Sequence, residues 1–267
     1  MFDNTRFYSE HGNLSYEFDD EHQDHELAAI EFDLLSPHLE NIDKSLHLFC
    51  GAGRHLSVFS QNGIQSIGID ISPFLVQQAS NLIRLKKQKL KASAYSVVGD
   101  VLNLPFAENR FDCVTALGNS ISLLSDDQIN QVFYQTGQVM KCGGIFILDI
   151  PDFEDMRNGT TPFTTPISTC REICSKELGS GVLHWHRFHD CENNRICSTE
   201  EMVFNIGEVN EKRVKSHFFF HIIMPRTLSL KAETFGMKMV GTKSYQDKRG
   251  KYRGMLAKRI FMIFKMF

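Results

Sequence analysis

The sequence predicts an α/β protein: a doubly wound, mostly parallel sheet of seven strands with an antiparallel β insertion after the fifth. Three observations carry this expectation. Strand-length apolar runs alternate with helical periodicity from residue 26 to residue 150. The first run, at 46–50, breaks directly into Gly51-Ala52-Gly53. After Pro151 the alternation gives way to period-two segments, and helical spacing returns only at 226–235, ahead of two last strands. Strand-helix alternation builds parallel strands joined by right-handed crossovers, whereas period-two segments with interleaved polar residues build an antiparallel meander with one wetted face.

Each element has a local cause. Glu26–Leu35 places apolar residues at helical spacing and stops before Pro37. Strands follow at 46–50, 66–70 and 94–98, separated by helices at about 54–62 and 73–90. A fourth strand is expected at 111–117; an acidic first turn at Asp126-Asp127 opens a helix, and Gly143-Gly144 precedes a fifth strand at 144–150. The Thr/Pro-rich stretch Gly159–Pro166 leads into β-rich segments at about 169–178, 182–190, 195–206 and 213–224. A helix at Arg226–Phe235 ends at Gly236, and the last strands lie near 238–245 and 258–265. The chain thus divides into an N-terminal arm and first sheet half (1–150), a β-rich cap (151–225) and a closing segment (226–267).

The glycine turn carries the chemistry. Without a side chain, Gly51 lets backbone approach a ligand closely, Gly53 keeps the turn clear, and the following helix N-terminus offers unpaired N–H groups to an anion. Asp70 ends the second strand 19 positions after Gly51, near the spacing at which an acid accepts from both ribose hydroxyls. The G-x-G-x-x-G register would put its third glycine at Leu56, so a nucleoside smaller than a dinucleotide is favoured.

Phe49-Cys-Gly-Ala-Gly-Arg54, Gly68-Ile-Asp-Ile-Ser72, Gly99-Asp-Val101 and Gly144-Ile-Phe-Ile-Leu-Asp149, in that order and spacing, resemble the class I S-adenosylmethionine-dependent methyltransferases over roughly residues 25–150. The resemblance implies S-adenosylmethionine as cofactor. It implies that Gly51 and Gly53 receive its methionine moiety, Asp70 its ribose and Asp100 its adenine amino group, with Cys50, Ala52, Ile71, Val101 and Leu117 beside them. It also implies that 226–267 completes a Rossmann-like core, so that 151–225 roofs the cleft at the carboxyl edge of the sheet. In the N-terminal arm, Tyr8 and Tyr16 are candidate lid aromatics.

A β-rich cap in this place is similar to that of small-molecule N- and O-methyltransferases, including the glycine and sarcosine N-methyltransferase group. Gly118-Asn-Ser-Ile-Ser-Leu-Leu124 also resembles the corresponding segment there, but lacks the histidine that some sugar O-methyltransferases use as base. No Asn/Asp-Pro-Pro-Tyr tetrad is present for amino methylation of adenine or glutamine. Methyl transfer from a sulfonium depends chiefly on alignment and desolvation, with a base needed only where the acceptor must lose a proton. His217 and His221 share one strand face and, with Arg226, are the candidate catalytic groups; His184 and His186 share another strand's face.

Seven cysteines at irregular spacing read as reduced thiols, and Cys170, Cys174, Cys191 and Cys197 do not match a zinc-knuckle pattern, so no metal is expected. No run approaches 18 uninterrupted apolar residues and the first residues lack signal-peptide character, which points to a cytoplasmic protein without membrane contact. Residues 1–45 hold twelve acids against Arg6 and Lys44, while 238–267 hold nine bases against Asp247. Such polarity marks a phosphate-bearing or nucleic-acid partner, two chain ends that neutralise each other, or two solvated faces. No clustered base-stacking motif or nucleic-acid module accompanies it, so nucleic acid is not the expected partner. The expected function is methyl transfer to N or O of a small molecule. An RNA or protein methyltransferase, and a cofactor-binding regulatory or scaffold protein without turnover, are the alternatives. The oligomeric state is not legible.

Overall fold

The computed structural model describes residues 4–18, 20–153, 166–249 and 258–267. The Thr/Pro-rich stretch up to residue 165 and the bases Lys251 and Arg253 lie outside the described residues. Five strands open the fold: β1 (Lys44–Leu48), β2 (Gln65–Asp70), β3 (Ala94–Val98), β4 (Phe111–Ala116) and β5 (Met140–Pro151). Then come β6 (Ile167–Ser175), β7 (Gly179–Asp190), β8 (Arg195–Phe204) and β9 (Lys212–His221), followed by β10 (Met237–Gln246) and β11 (Lys258–Met266). The helices are α1 (Asn4–Phe18), α2 (His25–Leu35), α3 (Arg54–Gln61), α4 (Pro73–Leu85), α5 (Asp126–Val139) and α6 (Pro225–Thr234).

The main sheet has the order β3-β2-β1-β4-β5-β11-β10. Strands β1 to β5 pair in parallel, and β11 runs antiparallel to both β5 and β10. The expected seven-stranded, doubly wound core is therefore present. Chain order reverses between β1 and β4, so the cleft beyond their carboxyl ends is the topological switch point, where open α/β sheets bind ligands. Both faces are buried, as parallel strands require. Phe133 of α5 packs edge-on against Phe146 and Phe264 on one face, and Phe32 of α2 against Phe59 of α3 on the other.

Local sequence sets the boundaries. Ser72 caps α4 by accepting from the Leu75 N–H, with Pro73 in the first turn, and Ser125 and Gln128 form a capping box at α5. Strand β5 begins at Met140, ahead of the expected 144, because Phe111 pairs with Met140 before a register shift brings Cys113 opposite Ile145. Gly53 caps α3 in the left-handed region (φ +80°), and a Cβ there would lie 2.8 Å from the Cβ of Ala79. Glycine is thus what lets α3 leave the turn against α4.

Strands β6 to β9 form a second, antiparallel sheet in sequential order, the expected meander. Its inner face presents Ile173, Leu183, Met202, Phe204 and Val214 to Leu14 and Phe18 of α1. Further along the same face, Ile196 and Phe220 join the main core. Helix α1 has no counterpart in the sequence expectations. It is mostly polar and kinked at His11 (φ −127°, ψ 27°), so tertiary packing rather than periodicity holds it. No described helix is long and apolar enough to cross a membrane.

Candidate active site

The cleft at the switch point is lined by Tyr8 of α1, Glu21 and His22, the turn Phe49–Ala52, Arg54 and His55, Asp70 and Ile71, Leu75, and the segment after β4 that includes Leu117, Gly118, Ser120 and Leu123. It holds about 750 Å³ of empty space, counting its open mouth. Asp70 organises it. One carboxylate oxygen accepts the Gly51 N–H at 2.8 Å and the other accepts the Ser72 N–H at 2.9 Å. Burial pushes the Asp70 carboxyl above the usual range, and these N–H groups pull it back. A carboxylate has about four acceptor sites, so capacity remains for a hydroxyl.

Gly51 itself has φ +50°, and a Cβ there would lie 3.1 Å from Nδ1 of His22. His22 in turn bonds Ser15 of α1 through Nε2 at 2.9 Å. The N-terminal arm therefore lies directly over the glycine turn. Gly12 allows its approach, since a Cβ at that position would lie 2.2 Å from the Ser72 hydroxyl.

Beneath the turn lies a buried ionic network. Arg54 reaches Glu21 at 2.6 Å and Glu31 at 2.9 Å. Arg259 of β11, fully buried, reaches Glu21 and Asp149 at 3.1 Å each and bonds Glu31 as well. His55 bonds Glu31 at 2.7 Å. Burial alone would raise Glu31, but Arg54 and Arg259 outweigh it and hold the carboxyl well below the usual range. Asp149, which accepts the Asn119 N–H, is pushed up to about 6 by burial, with Arg259 opposing and Glu31 adding to the rise. Glu21 belongs to the arm, so the network ties the arm to α2, α3, β5 and β11.

The chain ends also neutralise each other. Arg249 pairs with Asp24 and Glu26, and Arg259 with Glu21 and Glu31, while Lys258 pairs with Asp152 nearby. This matches the reading in which the two chain ends neutralise each other.

Of the residues singled out in the sequence, Cys50, Gly51, Ala52, Asp70, Ile71 and Leu117 come together in the cleft, with Tyr8 at its rim. Gly53 lies just behind, capping α3. Asp100 is exposed beyond β3 and accepts the Leu102 N–H at 2.9 Å, with Val101 buried beside it. Tyr16 packs against His22 and Phe74. His217, bonded to Thr199 at 3.1 Å, and His221, edge-on to Phe219, have strand parity opposite to Val214, Ser216 and Phe218, the residues that face α1 and the core. Burial lowers the pKa of both histidines. Arg226 lies in the first turn of α6, away from the cleft lining. Glu21 and His22 carried no motif, and Arg54, which closes the glycine-turn motif, and His55 after it were given no role there; only the acidic N-terminus facing a basic C-terminus hinted at the network. Among the described residues no cluster of His, Cys, Asp and Glu is arranged to hold a metal ion.

Residues 46–144 match the family model described as a methyltransferase domain. An uncharacterized methyltransferase of Synechocystis is 32% identical over 117 residues, covering 41% of this chain and 50% of that protein. A mouse protein named probable tRNA methyltransferase 9B is 25% identical over 146 residues, covering 55% of this chain and 30% of its own length. The chain thus spans half or less of these curated relatives. Among solved structures, the S-adenosylmethionine-bound amino pentose methyltransferase of Micromonospora echinaspora superposes with a TM-score of 0.63 at 13% identity, covering 94% of this chain and 96% of that one.

Proposed function

We propose that this chain transfers a methyl group from S-adenosylmethionine to a nitrogen or oxygen of a small-molecule acceptor, because residues 46–144 match the methyltransferase-domain model and the fold is shared with an S-adenosylmethionine-dependent methyltransferase. The observation that carries the reading is Asp70, fixed by the Gly51 and Ser72 N–H groups at the switch point, with acceptor capacity left on its carboxylate. That arrangement fits a ribose diol, and the side-chain-free Gly51 beside it fits a closely approaching methionine moiety.

When bound, S-adenosylmethionine supplies an activated methyl group on a sulfonium. The protein's own residues bind, orient and exclude water. Asp70 holds the ribose, the backbone of 51–53 receives the methionine end, and Asp100 keeps an acceptor oxygen for the adenine amino group. Tyr8, Tyr16 and His22 close the arm over the turn, and the ionic network of Glu21, Arg54 and Arg259 keeps that arm seated. A closed, dry cleft serves an in-line displacement whose rate comes chiefly from alignment. We assign the acceptor side to residues 151–225, whose second sheet packs against α1 through Phe7, Leu14 and Phe18. The M. echinaspora enzyme, named for an amino pentose, supports a small acceptor. The pairing of Arg249, Lys258 and Arg259 with acids supports it too, since it removes bases that would track phosphates.

The test offers tritiated S-adenosylmethionine to the full chain with three acceptor pools: a small-molecule extract, total tRNA and a protein lysate. Label is expected in the small-molecule pool. Label in tRNA or protein instead would overturn the acceptor class. Failure to bind S-adenosylhomocysteine in calorimetry would overturn the reading altogether.

A further inference from the structure

On the inner face of the second sheet, Arg187 pairs in register with Ser198, and Ser198 with Phe218. One pair along the same face stand Trp185, Glu200 and Ser216. The Phe218 ring meets Phe7 at 4.7 Å and Tyr8 at 6.1 Å, and Tyr8 lines the cofactor cleft. A polar strip thus runs across the inner face of the second sheet and meets, through Phe218, the Tyr8 that lines the cleft.

The strip is incomplete. Ser198 is 1% and Ser216 5% exposed, yet neither hydroxyl has a hydrogen-bond partner among the described residues, and neither has the buried Nε of Arg187. Unpaired buried polar groups are uncommon because each forfeits its bonds to water. Three on one strip, all able to donate, leave room for an acceptor beyond the described residues. Arg187 is also oriented: its guanidinium lies 4.2 Å over the Trp185 ring, which covers one face and leaves the in-plane N–H edge to recognise a ligand. Burial pushes the Arg187 pKa down to about 10, with Glu200 opposing, so the group is still a cation near neutrality.

We propose that Arg187, Ser198 and Ser216 form a subsite for a carboxylate of the methyl acceptor. The inference rests on the methyl-transfer reading for what lies beneath it. A planar monoanion suits the guanidinium edge with two flanking hydroxyls. A phosphate dianion suits it less, because this strip offers one arginine with the acid Glu200 adjacent. His217 and His221, on the opposite face, take no part.

Trp185 is the chain's one tryptophan and is stacked on Arg187, so its fluorescence reports the subsite without turnover. The full chain, saturated with S-adenosylhomocysteine, is titrated with benzoate, acetate, benzamide and inorganic phosphate. A saturable change is expected with the two carboxylates and none with benzamide. Arg187→Gln should weaken carboxylate binding at least tenfold, and Ser198→Ala/Ser216→Ala several fold, while calorimetric affinity for S-adenosylhomocysteine stays within twofold. No saturable carboxylate signal, an equal signal in Arg187→Gln, or a preference for phosphate would overturn the subsite. Loss of S-adenosylhomocysteine binding by the unaltered protein would instead overturn the methyl-transfer reading.

Discussion

Asp70→Asn separates scaffold from ligand recognition at the centre of the cleft. The carboxylate accepts two backbone N–H groups, from Gly51 at 2.8 Å and Ser72 at 2.9 Å. An amide has one acceptor oxygen, so its NH2 must face one of those donors. One charge-assisted bond is lost and one buried N–H is left unpaired, which should cost about 1.5 to 3 kcal/mol of stability. The ribose diol loses an acceptor at the same time. A loss of about 1.4 kcal/mol there is a tenfold weaker Kd, so S-adenosylhomocysteine should bind at least about tenfold more weakly to the folded variant. Urea unfolding gives the first quantity and calorimetry the second. Because burial raises the Asp70 pKa, affinity in the unaltered protein should also fall on acidification at a higher pH than for an ordinary aspartate. A folded Asp70→Asn protein with unchanged stability and affinity within twofold would refute the assignment.

Other perturbations probe the surroundings. Asp149 has a folded-state pKa of about 6 against 3.8 in the unfolded chain, so the folded state binds its proton more tightly and this group's contribution falls as pH rises from about 4 to 6. Unfolding of Asp149→Asn beside the unaltered protein should therefore shift in the variant's favour by up to about 3 kcal/mol between about pH 4 and pH 7; a parallel pH dependence would contradict it. Arg259→Met strands Glu31, Glu21 and Asp149 without their shared cation and should cost about 3 to 5 kcal/mol in urea unfolding. Gly53→Ala meets both a left-handed φ and the Ala79 methyl 2.8 Å away, and should lower stability by about 1 to 3 kcal/mol. His217→Ala should leave kcat/KM for the acceptor within about threefold, because its side chain lies on the face opposite Ser216 and Phe218.

The core was legible because period and punctuation agreed. Val114 and Phe146 sit in strands whose apolar runs are too short for helices, and Gly51 and Gly53 stand where the observed φ values of +50° and +80° require glycine. The arm was not legible. Leu14 and Phe18 are too few to make a helical stripe, and they are received by Leu183, Met202 and Phe204, far along the chain. The ionic network was hidden for the same reason. Glu21 and Arg259 become partners only through folding, and sequence offered the sum of their charges, not their pairing. Strand parity placed His217 and His221 together correctly but could not say which face met the cleft; the apolar partners of Ser216 and Phe218 decide that.

The most direct measurement is a crystal structure of the full chain with S-adenosylhomocysteine. The expected density places the ribose hydroxyls within hydrogen-bond distance of Asp70, the homocysteine end against the backbone of Gly51 and beneath His22, and the sulfur toward the sheet that carries Arg187. A ligand bound elsewhere, or one whose ribose does not touch Asp70, would contradict the assignment of this cleft.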